Sequence, residues 1–215
     1  MRSTVHTVLV LLLAACGHVD TAAPSPPATL ASAPTSSATK PTSEDEQGRA
    51  AAATLVGTTP PEWKAERWMN SPPLTLASLR GSVVLVRWWT AGCPFCAATA
   101  PSLRTFNRSY ADKGLKVIGL YHHKDDGPFD PKVYEDTAKK YEFTFPVAVD
   151  PEWQTLQAWM KDKGGNTVET GFTSVTFVLD KHGVVRHVHP GGQYVAGDPA
   201  YAELQAVIER LLAES

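Results

Sequence analysis

The sequence predicts an α/β fold in which helices flank both faces of a central mixed β-sheet. The run 83–89 is almost wholly apolar and rich in β-branched and aromatic residues, which is typical of a strand buried on both faces. Helical patterns alternate with further strands of this kind, an order that favours parallel strands. The last two strands are joined by Asp180-Lys181-His182-Gly183, a short turn that indicates an antiparallel hairpin. We therefore expect one α/β domain over residues 54–215.

The predicted elements follow from composition and periodicity. Strands are expected at 83–89, 116–121, 146–149, 175–179 and 184–189. Helices are expected at 93–112, 131–141, 151–162 and 199–213. Asp130-Pro131 and Asp150-Pro151 each pair a good N-cap with proline at the first helical position. Upstream of the first strand, residues 72–81 predict a short N-terminal β-hairpin arm that folds onto the sheet.

The segment Cys93-Pro94-Phe95-Cys96 directly follows the first predicted strand and opens a helix. The free N–H groups and the macrodipole at a helix N-terminus favour the thiolate of the first cysteine. Pro94 has no N–H, which costs nothing at the first helical position. Because the second sulfur lies one helical turn away, the two cysteines are placed to form a disulfide. The segment predicts dithiol–disulfide chemistry in which Cys93 attacks and Cys96 resolves.

The chain has three cysteines, and the third, Cys16, follows a short basic and apolar start. Residues 1–15 have the features of a signal peptide, and their apolar run is shorter than the ~20 residues of a spanning helix. Leu13-Ala14-Ala15-Cys16 resembles the lipobox of bacterial lipoproteins, which implies that Cys16 becomes the lipidated N-terminus. An ordinary secretory signal is the alternative. We expect an exported, lipid-anchored protein on the periplasmic side of a bacterial membrane, an oxidising compartment.

Residues 16–53 are rich in Pro, Ala, Ser and Thr and lack aromatic side chains. Such a segment cannot bury enough apolar surface to offset its ordering entropy, so we expect a disordered tether. The formal net charge of −2 and the absence of a basic stripe in the sequence argue against nucleic acid as a partner.

Three ordered segments, 76–86, 88–96 and 176–185, resemble motifs of the thioredoxin superfamily. The chain is more narrowly similar, over roughly 57–213, to the TlpA/ResA-like membrane-anchored thiol–disulfide oxidoreductases. The resemblance implies a thioredoxin-like fold, no cofactor, exported protein disulfides or dithiols as partners, and a membrane electron donor. A reductase of exported proteins is the expected role. The neighbours of the dithiol are then expected to be Trp89, Thr90, Gly92, Pro94, Phe95, Thr173 and Ser174.

Three positions depart from the family pattern. Gly92 replaces the usual aromatic residue, which should widen access to Cys93. Ser174 stands at the position of the family's cis-proline, and because a cis bond before a non-proline residue costs about 3 kcal/mol, we expect Thr173–Ser174 to be trans. Arg87 replaces a frequent asparagine. It either tunes a thiol pKa as a nearby cation or packs its stem with its head in water.

Two other functions use the same cysteines. Thr90-Ala91-Gly92-Cys93 has the T-x-x-C spacing of a peroxiredoxin-like thiol peroxidase, which hydrogen peroxide turnover would distinguish. A metallochaperone could bind Cu(I) through Cys93, Cys96 and a histidine, since soft thiolates select this ion.

The histidines and tryptophans each allow a plain structural interpretation. His122 and His123 follow a buried strand, whereas His187 and His189 lie past the hairpin; all four are otherwise surface residues. We therefore expect no metal site. Trp88 and Trp89 should face opposite sides of the sheet, one in the core and the other beside the dithiol.

Overall fold

The computed structural model describes residues 43–214, which form a six-stranded mixed sheet with helices on both faces. The strands are β1 (Glu66–Met69), β2 (Val83–Trp89), β3 (Leu115–Tyr121), β4 (Val147–Val149), β5 (Thr176–Leu179) and β6 (Val185–His189). The helices are α1 (Ser43–Ala53), α2 (Pro94–Tyr110), α3 (Pro131–Lys140), α4 (Gln154–Trp159) and α5 (Pro199–Ala213). The predicted fold class is confirmed.

The strand order is β1-β4-β3-β2-β5-β6. Strands β2, β3 and β4 are parallel, because α2 and α3 connect them as crossover helices. Strands β5 and β6 form the predicted antiparallel hairpin, and β5 also pairs antiparallel with β2. The apolar sides of α2, α3 and α5 pack on one face of the sheet, whereas α1 and α4 pack on the other.

Strand β2 lies inside the sheet and is buried along its whole length. Its side chains alternate between the two faces, as the strand period requires. Trp88 packs on the α1/α4 face and Trp89 on the α2/α3/α5 face. The expectation that the two tryptophans face opposite sides of the sheet is therefore confirmed. Both of them belong to the core.

The predicted N-terminal hairpin arm at 72–81 is wrong. A single strand, β1, pairs antiparallel with β4, and a 3₁₀ turn covers Ala77–Leu79 instead. The side chains of Thr75 and Ser78 each accept a hydrogen bond from the other residue's main-chain N–H. Glu62 accepts a further bond, at 2.8 Å, from the N–H of Leu76. These local bonds occupy N–H groups that a second strand would need.

The expectation of a tether up to residue 53 is wrong for residues 43–53, which form α1. Alanines 50–53 favour a helix, and the first turn contains acidic side chains that the helix dipole stabilises. Ala52 is fully buried, and a Cβ on Gly48 would lie 2.9 Å from the carbonyl oxygen of Thr170, so only glycine allows this close approach. The predicted signal peptide, Cys16 and the rest of the tether lie outside the described residues.

The predicted helix 151–162 is shorter than expected. A 3₁₀ turn covers Pro151–Trp153, and α4 then begins at Gln154. Asp150 caps α4 rather than the preceding turn, because its carboxylate accepts the N–H groups of Thr155 and Leu156, each at 2.8 Å. Within residues 43–214 no helix has both the length and the apolar character needed to cross a bilayer.

Candidate active site

The dithiol lies at the N-terminus of α2, directly after the central strand β2. Cys93 is the N-cap residue, and its sulfur accepts a hydrogen bond from the N–H of Cys96 at 3.2 Å. Pro94 occupies the first turn of the helix, as the sequence predicts. Both cysteines are free thiols, and the Cys96 thiol donates to the Cys93 sulfur at 2.7 Å. The two sulfurs are therefore placed for disulfide formation.

The two thiols differ in exposure. Cys93 is half-buried, whereas Cys96 is 3% exposed. Burial is the main cause that raises the pKa of Cys96 to about 11, and the positive charge of Arg87 opposes this rise. The Cys93 bond raises the same pKa further, while the main-chain N–H of Thr90 lowers it. An incoming disulfide therefore meets Cys93 first, in line with the predicted roles.

The rim around Cys93 is open. Gly92, Pro94 and Phe95 are all exposed, and no atom lies within 4 Å of a Cβ placed on Gly92. Access is thus wide, as predicted for a glycine in place of the family's aromatic residue. Gly92 has φ +71°, which disfavours any larger side chain at this position.

An apolar patch of two exposed aromatic rings flanks the dithiol. Phe95 and Phe172 are 41% and 38% exposed, and they meet edge to face with centroids 5.9 Å apart. Sequence reasoning missed Phe172, because its loop contains no strand or helix signal that places it beside α2. A groove of about 840 Å³ continues from this patch along Thr173, Thr170, Met160, Leu156 and Trp153.

The loop Thr173–Ser174 lies at the edge of this site. No described peptide bond is cis, so the trans expectation for Thr173–Ser174 is confirmed. Ser174 is buried, and the Oγ1 of Thr173 lies 2.9 Å from the Nε2 of His122. Burial lowers the pKa of His122 to about 3, so this ring is neutral and holds the loop by a hydrogen bond.

The histidines do not join the cysteines in a metal site. His122 is fully buried and bonds Thr173, and the Nε2 of His123 bonds the carbonyl oxygen of Gly127 at 2.6 Å. Across residues 43–214 no group of three or more His, Cys, Asp or Glu side chains is placed to hold a metal ion. The structure thus does not gather the three ligands that the Cu(I) alternative needs.

The surface interpretation of the histidines is wrong for His122 and His189. His189 is buried against Tyr194, with ring centroids 5.1 Å apart, because β6 is covered by the following loop. The Nδ1 of His187 lies 3.8 Å from the Oε1 of Glu203.

Arg87 does not extend its head into water. The residue is 1% exposed and points to the α2 side of the sheet, between Leu85 and Trp89 in the alternation of β2. Its Nη1 donates to the Oγ1 of Thr176 at 3.2 Å, and its Nη2 donates to the carbonyl oxygen of Gly192 at 2.6 Å. The alternative with a solvated head is therefore wrong.

The remaining predicted neighbours lie beneath the dithiol rather than around it. Trp89 packs edge to face on Tyr121 at 5.0 Å between centroids, inside the same cluster as Cys96. Thr90 is buried at the end of β2, so the T-x-x-C spacing places its side chain below the surface. Tyr194, which the sequence analysis missed, is fully buried beside Arg87.

Several known proteins with similar sequences or structures are named as thiol–disulfide oxidoreductases or isomerases. The chain is 31% identical over 145 residues to the protein DipZ of Mycobacterium tuberculosis, a match that covers 64% of this chain and 19% of DipZ. It is 24% identical over 156 residues to the thiol-disulfide oxidoreductase YkuV of Bacillus subtilis, covering 72% of this chain and 95% of YkuV. A thiol-disulfide isomerase structure from Corynebacterium glutamicum matches with TM-score 0.54 and 25% identity, covering 73% and 97% of the two chains.

The sheet and the dithiol at the start of α2 define a class: a thioredoxin-like domain with a C-x-x-C dithiol, as the sequence predicts, similar to thiol–disulfide oxidoreductases. The Redoxin family pattern matches residues 56–204. The chain therefore belongs to the Redoxin family. The chain spans about a fifth of the length of DipZ.

Proposed function

We propose that this protein is an exported, membrane-anchored thiol–disulfide oxidoreductase that reduces disulfides of other exported proteins. One observation supports the exchange chemistry above all others: an accessible sulfur at the helix N-cap, with a buried second thiol 2.7 Å behind it. An attacking sulfur must be reachable, and a resolving sulfur must be close and shielded from competing disulfides.

The proposed reaction has two steps. The Cys93 thiolate attacks a client disulfide, so that a Cys93–client S–S bond forms and one client sulfur leaves as a thiolate. Cys96 then loses its proton to water and attacks the Cys93 sulfur, releasing the second client thiolate. The client gains two electrons and becomes a dithiol, and the protein becomes a disulfide. A membrane dithiol donor then reduces Cys93–Cys96 by the same exchange.

The surface beside Cys93 suits a polypeptide client. The edge-to-face pair Phe95–Phe172 offers exposed apolar area next to the attacking sulfur. The adjoining groove has a volume of about 840 Å³, and Lys64, Lys161 and Glu169 place charges along it. We infer that clients present their disulfide in a flexible segment with apolar side chains.

The client is to be identified by trapping with Cys96→Ser. We expect mixed disulfides through Cys93 to accumulate in cells, because the resolving thiol that would release them is missing. Non-reducing gels and mass spectrometry measure the adducts. The double variant Cys93→Ser/Cys96→Ser is the matched control and should show none. Absence of adducts from a well-expressed Cys96→Ser protein would count against the proposal.

Membrane anchoring rests on the lipobox-like residues 13–16 and has its own test. Cys16→Ser should move the protein from the membrane fraction to the soluble fraction, because the acyl chains attach to this sulfur. Cell fractionation with an immunoblot measures the distribution, and Ser3→Ala in the basic start serves as a control that should stay in the membrane fraction. A Cys16→Ser protein that remains in the membrane fraction would refute the lipid anchor.

A further inference from the structure

Arg87 is a buried cation whose contacts are all neutral. Its guanidinium donates to a threonine hydroxyl and to the carbonyl oxygen of Gly192, and it lies over the Tyr194 ring, 5.4 Å from the centroid. Its Nε is buried without a hydrogen-bond partner. None of the ion pairs among residues 43–214 involves Arg87.

Such an arrangement is energetically unusual. An arginine remains protonated at any pH at which a protein stays folded. A buried charge is costly unless an opposite charge or a full set of hydrogen bonds compensates it. An anion that formed close to Arg87 would therefore be stabilised by this charge.

The group that can become this anion is Cys96. Arg87 alternates with Leu85 and Trp89 along β2, so it faces the side of the sheet on which Cys96 packs from the first turn of α2. Tyr194, whose ring lies against the guanidinium, is tied to α2 by two hydrogen bonds. Its carbonyl oxygen accepts from the hydroxyl of Ser102, and its N–H donates to the hydroxyl of Thr99. Among the charged groups, Arg87 has the largest effect on the pKa of the Cys96 thiol, and it lowers this pKa, which favours the thiolate.

We propose that Arg87 is a positioning residue for the second exchange step, in which its fixed charge stabilises the Cys96 thiolate as this thiolate attacks the mixed disulfide. This inference rests on the proposed exchange reaction. An arginine cannot accept the proton, so water takes it, and Arg87 acts only by stabilising the charge that remains.

The other titratable side chains around Arg87 and Cys96 are uncharged. His189 of β6 and His122, which follows β3, are kept neutral, because burial lowers the pKa of each to about 3. Tyr194 and Tyr141 are neutral as well, since burial raises the pKa of both phenols. Cys93 is bonded to the client during this step and carries no charge. Among the described residues, Arg87 is thus the permanent charge that acts on the Cys96 thiol in this step.

The test follows the reduced protein as it reacts with an aromatic disulfide, dithiobis-nitrobenzoate, in a stopped-flow spectrometer. Attack by Cys93 releases one coloured thiolate, and resolution by Cys96 releases the second. The rate of the second release is measured against pH for wild type, Arg87→Met and Arg87→Lys. Arg210→Met is the control, because it makes the same change at an exposed arginine of α5 that pairs with Glu214.

We expect Arg87→Met to move the inflection of the second release to higher pH and to slow this release at neutral pH. Each unit of displacement lowers the thiolate fraction tenfold but raises its nucleophilicity about threefold, so the net loss is roughly threefold per unit. Arg87→Lys keeps the charge and should retain most of the rate. Arg210→Met should behave as wild type. If Arg87→Met does not fold, Arg87→Gln replaces it, since its amide can still bond Thr176 or Gly192.

Three results would overturn the inference: an unchanged inflection in the folded neutral variant, a slowed rate without a shifted inflection, or Arg87→Lys as slow as Arg87→Met. The last two would assign Arg87 a purely structural role through its hydrogen bonds. Failure of the proposed function looks different, because the first release would then also be missing in wild type.

Discussion

Cys93→Ser should lower the rate of exchange with a peptide disulfide by at least about a hundredfold at pH 7. The remaining thiol, Cys96, is 3% exposed, and its pKa is raised to about 11 by burial. Burial therefore keeps this thiol almost wholly protonated at pH 7, and a peptide cannot reach it. Reduction of a fluorescence-quenched peptide disulfide by the purified protein measures the rate.

The comparison with Cys96→Ser gives this experiment its control. That variant keeps the exposed sulfur, so it should still react once and then stop as a mixed disulfide, whereas Cys93→Ser should not form the adduct. Equal single-turnover rates for the two variants would show that the sulfurs are equivalent and would falsify the division of roles.

Gly119→Ala should destabilise the fold by about 1–3 kcal/mol, the usual effect of one extra carbon in a filled core. Gly119 lies in β3 opposite Arg87 in the β2–β3 register. An added Cβ would lie 2.9 Å from the Cγ1 of Val147, closer than real Cβ atoms approach other atoms, and 3.0 Å from the Nε1 of Trp89, closer than most do. Neither neighbour can move freely, because both are buried. Urea unfolding of the reduced protein measures the change.

Gly127→Ala is the matched control for this substitution. Gly127 lies in the exposed loop after β3, and an added Cβ there would meet no atom within 4 Å. Its stability should stay within about 0.5 kcal/mol of wild type. A Gly119→Ala protein as stable as Gly127→Ala would mean that β3 and β4 are less tightly packed than the structure shows.

The site was partly predictable because its main features are local. The strand, the proline and the two cysteine positions lie within 83–96, and the thiol placement depends only on helix geometry. The position of Phe172 and Tyr194 depends instead on loops that return to α2 from far along the chain. Such contacts have no periodic signal in the sequence.

The errors in the fold prediction have the same origin. Residues 43–53 have a low-complexity composition, but small side chains also let a helix approach the protein closely, as Gly48 does at Thr170. Residues 72–81 alternate weakly like a hairpin, yet Glu62, Thr75 and Ser78 provide side-chain bonds that compete with strand pairing.

By itself, the sequence determined the order of strands and helices from β2 to α5, the family, and the place of the dithiol at a helix N-terminus, since each follows from neighbours along the chain. Only the tertiary structure decided that Cys96 is shielded while Cys93 is reachable, and that Arg87 is a buried cation without a carboxylate partner. Burial and charge compensation depend on which distant segments cover a residue, and β2 is covered by segments up to about 100 positions away.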